Sequence, residues 1–226
     1  MRINNKKILI IPILLIISIV ISFLIGEDTL GGAKHDYFFI LKFSLLFSEN
    51  FSETFSNFGI GELQARNSPI FSMVQAFFIN LGTDLDLLRY LNSLIIIPLF
   101  YFFYRSLEMK YEYLNSETKI ILTSVLFLSP TIRSLIVWPY PLIYGLLFFL
   151  ISNFYFIKFS YCNNDKKKNY YSILNVFFLA VASYFTPNFA LFSLFFFYKF
   201  YLHFKFSKIL FLIILLNIIL AIPAIY

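Results

Sequence analysis

Most of the side chains that can do chemistry lie in one segment near the N-terminus, from Gly26 to Arg89. This segment contains a histidine–aspartate pair, His35 and Asp36, and Arg66 shortly before Pro69. Eight of the chain's twelve acidic residues fall within it: Glu27, Asp28, Asp36, Glu49, Glu53, Glu62, Asp84 and Asp86. Carboxylates can act as general bases, and arginines can bind phosphate groups. We therefore look for a function in this segment first.

Asp36 directly precedes a predicted helix over residues 37–47. Its side chain is either a general base near the plane of the lipid headgroups or the N-cap of that helix, because Asp is a favoured cap. His35 is placed either to tune Asp36 or to bind a divalent metal together with it. Glu27 and Asp28 follow the end of the first apolar run and are the second choice as bases. The alternative is that both are simply solvated residues at the exit of a span.

Four basic residues are candidates for holding a phosphate. Arg66 lies before the turn at Pro69, which directs the chain back towards the membrane. It either holds the donor phosphate or is a surface arginine that binds the phosphates of membrane lipids. Arg133 lies at the end of an apolar run, where a charge is costly unless it is paired or reaches the interface. Lys34 and Arg89 are weaker candidates of the same kind.

The sequence offers little sign of a metal site. Asp84-Leu85-Asp86 has the D-x-D form, but Thr83 as an N-cap followed by acidic residues is an ordinary helix start. The chain has one cysteine, Cys162, so no zinc site can be built on cysteines. We predict no resident metal, and dependence on a divalent metal is left open.

The composition is that of an all-α membrane protein. Hydrophobic residues make up 60% of the chain and charged residues 13%, whereas soluble domains are nearer half apolar and a quarter charged. Only helices and closed barrels cross a bilayer, and the long apolar runs favour helices. The net charge of +6 comes from loop lysines, so no nucleic-acid partner is predicted.

The apolar runs predict about seven spans in a single membrane domain over residues 1–226. The first span is a retained signal anchor, and residues 26–88 form a long loop with interfacial helices at 37–47 and 51–58. The apolar face of the first of these helices is predicted from helical spacing and holds Phe38, Leu41, Leu45 and Leu46. A run from Pro69 to Leu81 is too short to cross and is assigned to this loop, with Ser68 as its N-cap. The seven predicted spans are 8–25, 88–104, 119–135, 139–158, 170–186, 188–204 and 208–226.

The distribution of basic residues supports this topology. With the N-terminus in the cytoplasm and 69–81 not spanning, thirteen of the eighteen basic residues lie inside, as the positive-inside rule requires. If 69–81 were a span, the run Lys166–Lys168 would face outwards and the rule would fail. The long first loop is thus predicted to lie outside.

The order of these features is similar to that of a known family. Asp36-Tyr37 opens a flat helix, Arg66-Asn67-Ser68-Pro69 forms a basic and polar turn, and Leu81-Gly82 through Arg89 leads into the next span. Ser129-Pro130 and Thr186-Pro187-Asn188 then break later helices. This layout resembles the N-terminal portion of the GT-C glycosyltransferases, especially bacterial relatives of protein O-mannosyltransferases and aminoarabinose transferases.

Two features depart from that family. Asn67-Ser68 replaces the usual His-Pro, and the loop around Arg133 has no carboxylate. A third departure is that the chain ends at Tyr226 inside an apolar run, whereas full-length members are longer. This is expected of a product truncated at the C-terminus, of a fragment or of a reduced paralogue.

The resemblance implies a bacterial inner-membrane enzyme. Its donor would be a polyprenyl-phosphate-linked sugar, and its acceptor a lipid, protein or glycan on the outer face. Membrane lipids would surround the enzyme. Asp36, with His35, would be catalytic, and Arg66 and Arg133 would hold the phosphate. The substrate-binding residues that it implies are Lys34, Arg66, Arg89, Arg133, Trp138 and Tyr140.

The alternative is a protein that does not catalyse, such as a transporter or flippase component or an inactive fragment of a transferase. A transporter needs polar or ionisable groups at mid-depth in its spans. The predicted spans offer four asparagines and no carboxylate there: Asn92, Asn153, Asn175 and Asn217.

Overall fold

The structure is a computed structural model that describes residues 10–28, 33–60 and 68–221. Within these ranges the fold is all-α, as predicted, with no strand. A 3-10 helix over Pro187–Leu191 lies between the α-helices Asp165–Phe185 and Phe192–Phe204. The α-helices of the described residues are α1 (Ile10–Ile25), α2 (Ala33–Glu49), α3 (Phe51–Asn57), α4 (Ile70–Asn80), α5 (Leu85–Ser93), α6 (Ile96–Lys110), α7 (Ser116–Leu126), α8 (Pro130–Val137), α9 (Pro141–Tyr161), α10 (Asp165–Phe185), α11 (Phe192–Phe204) and α12 (Lys208–Ala221).

Within the part of the chain that the structure describes, two helical stretches are long and apolar enough to cross a membrane. They are Leu85–Lys110, which joins α5 and α6, and α9. The pair α7 and α8 adds a third only if it is counted as one span, because the two helices meet at an angle of 69°. Association with a membrane follows from these helices, while the number of seven spans remains a prediction.

Side-chain caps explain where several helices begin. Asp84 accepts a hydrogen bond from the amide of Leu87 at 2.7 Å, so Asp84 is the N-cap of α5 in place of the predicted Thr83. The predicted short helix over 69–81 is present as α4, but its N-cap is Pro69 rather than Ser68. The Ser68 hydroxyl instead donates to the carbonyl oxygen of Tyr184, which ties the start of α4 to α10.

The predicted apolar face of α2 was partly wrong. Phe38 and Leu45 were expected to share it, yet both side chains are exposed. The buried face holds Tyr37, Ile40, Leu41, Phe43, Ser44 and Phe47. The reason is a polar contact that apolar periodicity does not show: the Ser44 hydroxyl donates to Oε1 of Gln75 at 2.9 Å, inside the packed pair of α2 and α4.

The C-terminal end of α8 is capped by side chains of α5. The amide nitrogen of Asn92 donates to the carbonyl oxygens of Leu135 at 3.0 Å and Ile136 at 2.6 Å. Nε of Arg89 donates to the carbonyl oxygen of Val137 at 3.4 Å. The last carbonyls of a helix have no partner within it, so α5 supplies the donors that α8 lacks.

Helices α9 and α10 form the most extensive helix pair, and a polar contact joins them inside an apolar interface. The amide nitrogen of Asn175 donates to the carbonyl oxygen of Ser152 at 2.9 Å and to its hydroxyl oxygen at 2.8 Å. The Ser152 hydroxyl donates to the carbonyl oxygen of Asn175 at 2.9 Å. Polar side chains of this kind join helices in membranes.

Gly145 marks the closest approach between α9 and the 3-10 helix. A methyl group there would lie 2.8 Å from Cε2 of Phe189 and 3.1 Å from Oγ1 of Thr186. We expect Gly145→Ala to lower the free energy of unfolding by about 1–3 kcal/mol, the usual cost of overpacking, as measured by thermal unfolding in mild detergent. In a Phe189→Leu background the added loss is expected to be smaller, and an equal loss in both backgrounds would contradict this contact.

Candidate functional site

The candidate site is built around the end of α1, where the chain turns away from the apolar helix. Gly26 makes the turn with φ of +63°, a conformation that glycine adopts without strain. The carbonyl oxygen of Glu27 accepts a hydrogen bond from Nε1 of Trp138 at 3.1 Å. Trp138, just after the end of α8, thereby fixes the exit of α1.

Glu27 and Arg133 form an ion pair across this junction. Nη2 of Arg133 lies 2.7 Å from Oε1 of Glu27, and their side chains are 24% and 10% exposed, respectively. Nη1 of Arg133 also donates to the Ser18 hydroxyl at 3.4 Å. Nε of Arg133 is buried and has no partner among the described residues. The pair therefore brings a carboxylate and a guanidinium together at the edge of the apolar region.

Arg89 occupies the space between the ends of α1 and α8. Its guanidinium carbon lies 4.1 Å from the centroid of the Trp138 ring and 4.9 Å from that of Phe23. Nη2 donates to the carbonyl oxygen of Phe23 at 3.4 Å, and Nη1 pairs with Asp86 at 3.2 Å. A cation at two helix C-termini is favoured by both helix dipoles, so Arg89 first of all holds the junction together.

Lys34, His35 and Asp36 lie together in the first turn of α2, and all three are exposed. The Lys34 ammonium lies 5.3 Å from the centroid of the Trp138 ring, beside Arg89. The backbone amide of Lys34 donates to Oδ1 of Asp28 at 3.2 Å. Asp28 thus takes a capping role that we had considered for Asp36, and the Asp36 carboxylate forms no hydrogen bond or ion pair with the described residues.

An open groove of about 530 Å³ runs along α1 and ends at the ion pair. Most of its wall is apolar, and its charged end is formed by Glu27 and Arg133. The groove is lined by Leu14, Ile17, Ser18, Ile21, Ser22, Ile25, Glu27 and Arg133. An open apolar groove with a carboxylate and a guanidinium at one end suits an amphiphilic molecule with a long hydrocarbon chain.

Tyr37 follows Asp36 but points into the protein. Its side chain is fully buried, its hydroxyl has no partner among the described residues, and its ring packs against Trp138. Burial raises the pKa of Tyr37 to about 12, and the nearby Arg89 lowers it only in part. The phenol therefore stays protonated at neutral pH and is no candidate for a base.

The structure brings together four of the six predicted substrate-binding residues, namely Lys34, Arg89, Arg133 and Trp138. Lys34 and Arg89 lie at the Trp138 ring, and Arg133 joins them through Glu27. Asp36 and His35 are close in sequence to Lys34 but make no contact with this group. Trp138 itself is only 6% exposed, so it positions its neighbours and offers little ring surface to a sugar.

The remaining predicted site residues fall elsewhere. Arg66 lies outside the described residues. Tyr140 is the N-cap of α9 and packs against the apolar core of α1, α6 and α8. In the D-x-D segment Asp84 caps α5 and Asp86 pairs with Arg89. No cluster of three or more His, Cys, Asp or Glu side chains within the described residues is arranged to hold a metal ion.

Sequence reasoning considered Glu27 and Arg133 separately and did not pair them. The available signal was the cost of an arginine at the end of an apolar run, which calls for a partner. No protein-family model, curated protein or solved structure matches the chain. The residues of the site are therefore the basis on which a function can be assigned.

Proposed function

We propose that the protein is a membrane glycosyltransferase that transfers a sugar from a polyprenyl-phosphate-linked donor to an acceptor at the outer face. The observation that carries the proposal is the apolar groove along α1, which ends at Glu27 and Arg133. Trp138 donates to the Glu27 carbonyl oxygen and connects this end of the groove to Lys34 and Arg89, which lie at its ring. A donor of this class has a long apolar tail joined to a phosphate, and the groove offers surroundings for both parts.

Lys34 is the cation best placed to contact the donor phosphate. Arg133 is paired with Glu27, and Arg89 is held by Asp86 and two backbone carbonyls. The Lys34 side chain is exposed, and among the described residues its ammonium has the Trp138 ring as its one partner. Phosphate carries growing negative charge as it leaves, so a cation there stabilises the transition state. Arg133 and Arg89 add positive potential, and Arg66 is retained as a further phosphate ligand.

Asp36 is proposed as the general base. Its carboxylate lies two residues beyond Lys34 in the first turn of α2 and is exposed. In this proposal the acceptor hydroxyl approaches Asp36 from the water while the donor phosphate lies at Lys34. His35 is exposed beside Asp36 and is proposed to orient it or the acceptor.

Transfer can be tested in membranes from cells that express the chain, supplied with a polyprenyl phosphate carrying a radiolabelled hexose. We expect label to enter acceptors faster than in membranes without the chain. Lys34→Met is expected to raise KM for the donor by roughly tenfold through loss of a charge-assisted contact. Lys42→Met, an exposed lysine further along α2, is the matched control. Absence of transfer, or equal effects of the two variants, would contradict the proposal.

Two of the four asparagines in the predicted spans have structural roles and so do not favour a transporter. Asn92 caps α8, and Asn175 joins α10 to α9 through Ser152. Both amides hold helices together. If the labelled lipid is bound or moved across the membrane without transfer of its sugar, the chain is instead a flippase component or an inactive fragment.

A further inference from the structure

Three basic residues lie on neighbouring helix ends, at the opposite end of the span formed by α5 and α6. Arg105 lies in the last two turns of α6, Lys158 in the last turn of α9, and Lys119 in the first turn of α7. Helix α6 packs against both α7 and α9, and a short connection returns the chain from α6 into α7. Sixteen residues separate Arg89 from Arg105, which is about 24 Å along a helix. This cation cluster is therefore distinct from the candidate site.

Of the three cations, Arg105 alone forms an ion pair with a described carboxylate. Arg105 pairs with Glu108, but its Nε is buried without a partner among the described residues. Lys119 is only 7% exposed, and its ammonium forms no ion pair or hydrogen bond with any described residue. The Arg105 charge also acts on Lys158, which it repels. Glu108 is thus the one described carboxylate that forms an ion pair with any of the three cations.

Lys158 is held by aromatic rings rather than by an acid. Its ammonium lies 4.5 Å from the ring centroid of Phe154 and 5.6 Å from those of Tyr155 and Tyr171. Cation–π contacts keep the charge in place and leave it available to an anion. Tyrosines of this kind concentrate at the headgroup level of a bilayer.

We propose that the cation cluster of Arg105, Lys119 and Lys158 binds the phosphate group of an anionic phospholipid headgroup. Lysine and arginine between helix ends near the membrane surface are the groups that recognise such headgroups. A phosphate relieves the repulsion between Arg105 and Lys158 and gives Lys119 a counter-charge. The lipid is favoured over free phosphate because the cluster lies at the end of a membrane-crossing helix, where headgroups are concentrated.

The test compares thermal unfolding of the purified full chain in nanodiscs of phosphatidylcholine alone and of phosphatidylcholine with phosphatidylglycerol. We expect phosphatidylglycerol to raise the unfolding midpoint. Titration with the same lipid in detergent is expected to show roughly fivefold weaker binding for Lys119→Met. Lys119→Arg is expected to retain binding, and Lys166→Met, an exposed lysine at the start of α10, is the control.

Lys158→Met provides a second measure if Lys119→Met does not fold, and it is expected to weaken binding by a similar factor. Equal binding by the wild type and both methionine variants would overturn the proposal. An equal rise of the midpoint when inorganic phosphate is added to nanodiscs of phosphatidylcholine alone would overturn the assignment to a lipid.

Discussion

Replacing Asp36 by asparagine is expected to slow sugar transfer by about a thousandfold, within the usual range for loss of a general base. The amide has nearly the same shape as the carboxylate but cannot accept the proton of the acceptor hydroxyl. The side chain is exposed and has no hydrogen bond or ion pair with the described residues. The free energy of unfolding should therefore change by no more than about 0.5 kcal/mol.

The measurement is the initial rate of label transfer from the polyprenyl-phosphate hexose, with thermal unfolding measured on the same preparations. Glu49→Gln is the matched control, because Glu49 is an exposed carboxylate at the other end of α2. Control and wild type should transfer at the same rate. If Asp36→Asn also keeps the full rate, Asp36 is not the base, and Glu27 and Asp28 become the carboxylates to test.

Glu27→Gln is expected to lower the free energy of unfolding by roughly 3 kcal/mol, the scale for breaking a buried ion pair by removing one partner. The glutamine leaves the Arg133 charge uncompensated beside the apolar wall formed by Leu14, Ile17 and Ile21. Removal of both charges in the double variant Glu27→Gln with Arg133→Met should recover much of this loss, because no unpaired charge remains. The measurement is thermal unfolding in mild detergent.

Asp86→Asn is the control for this second prediction. It also breaks an ion pair with an arginine, but the Asp86 side chain is 87% exposed. Pairs on the surface contribute at most about 1 kcal/mol. Equal losses for Glu27→Gln and Asp86→Asn would show that the Glu27 pair is no more important to the fold than a solvated one.

Local features of the fold could be predicted from the sequence. The length of the run from Pro69 to Leu81 predicted a short helix, and α4 is that helix. The prolines at 130 and 187 marked the places where α8 and the 3-10 helix begin. These predictions succeed because a missing backbone donor and a fixed φ act within a few residues.

Features that depend on distant parts of the chain could not be predicted in this way. The face of α2 was assigned from apolar spacing, whereas the Ser44–Gln75 contact with α4 decides which side is buried. Glu27 and Arg133 are 106 residues apart, and neither residue indicates the other. The size of the bend at Pro130 likewise depends on packing. The candidate site could not be predicted for the same reason, because Trp138 brings together residues from three separate helices.

The capping of α8 by α5 sets an order of events during synthesis. Asn92 and Arg89 leave the ribosome more than forty residues before the carbonyls that they bind. When the last turn of α8 forms, its donors have already been synthesised, so its carbonyls need not stay unpaired. Ribosome-bound chains that end before Leu85 therefore lack the α5 side chains that later cap α8. In longer chains these side chains are present before α8 emerges.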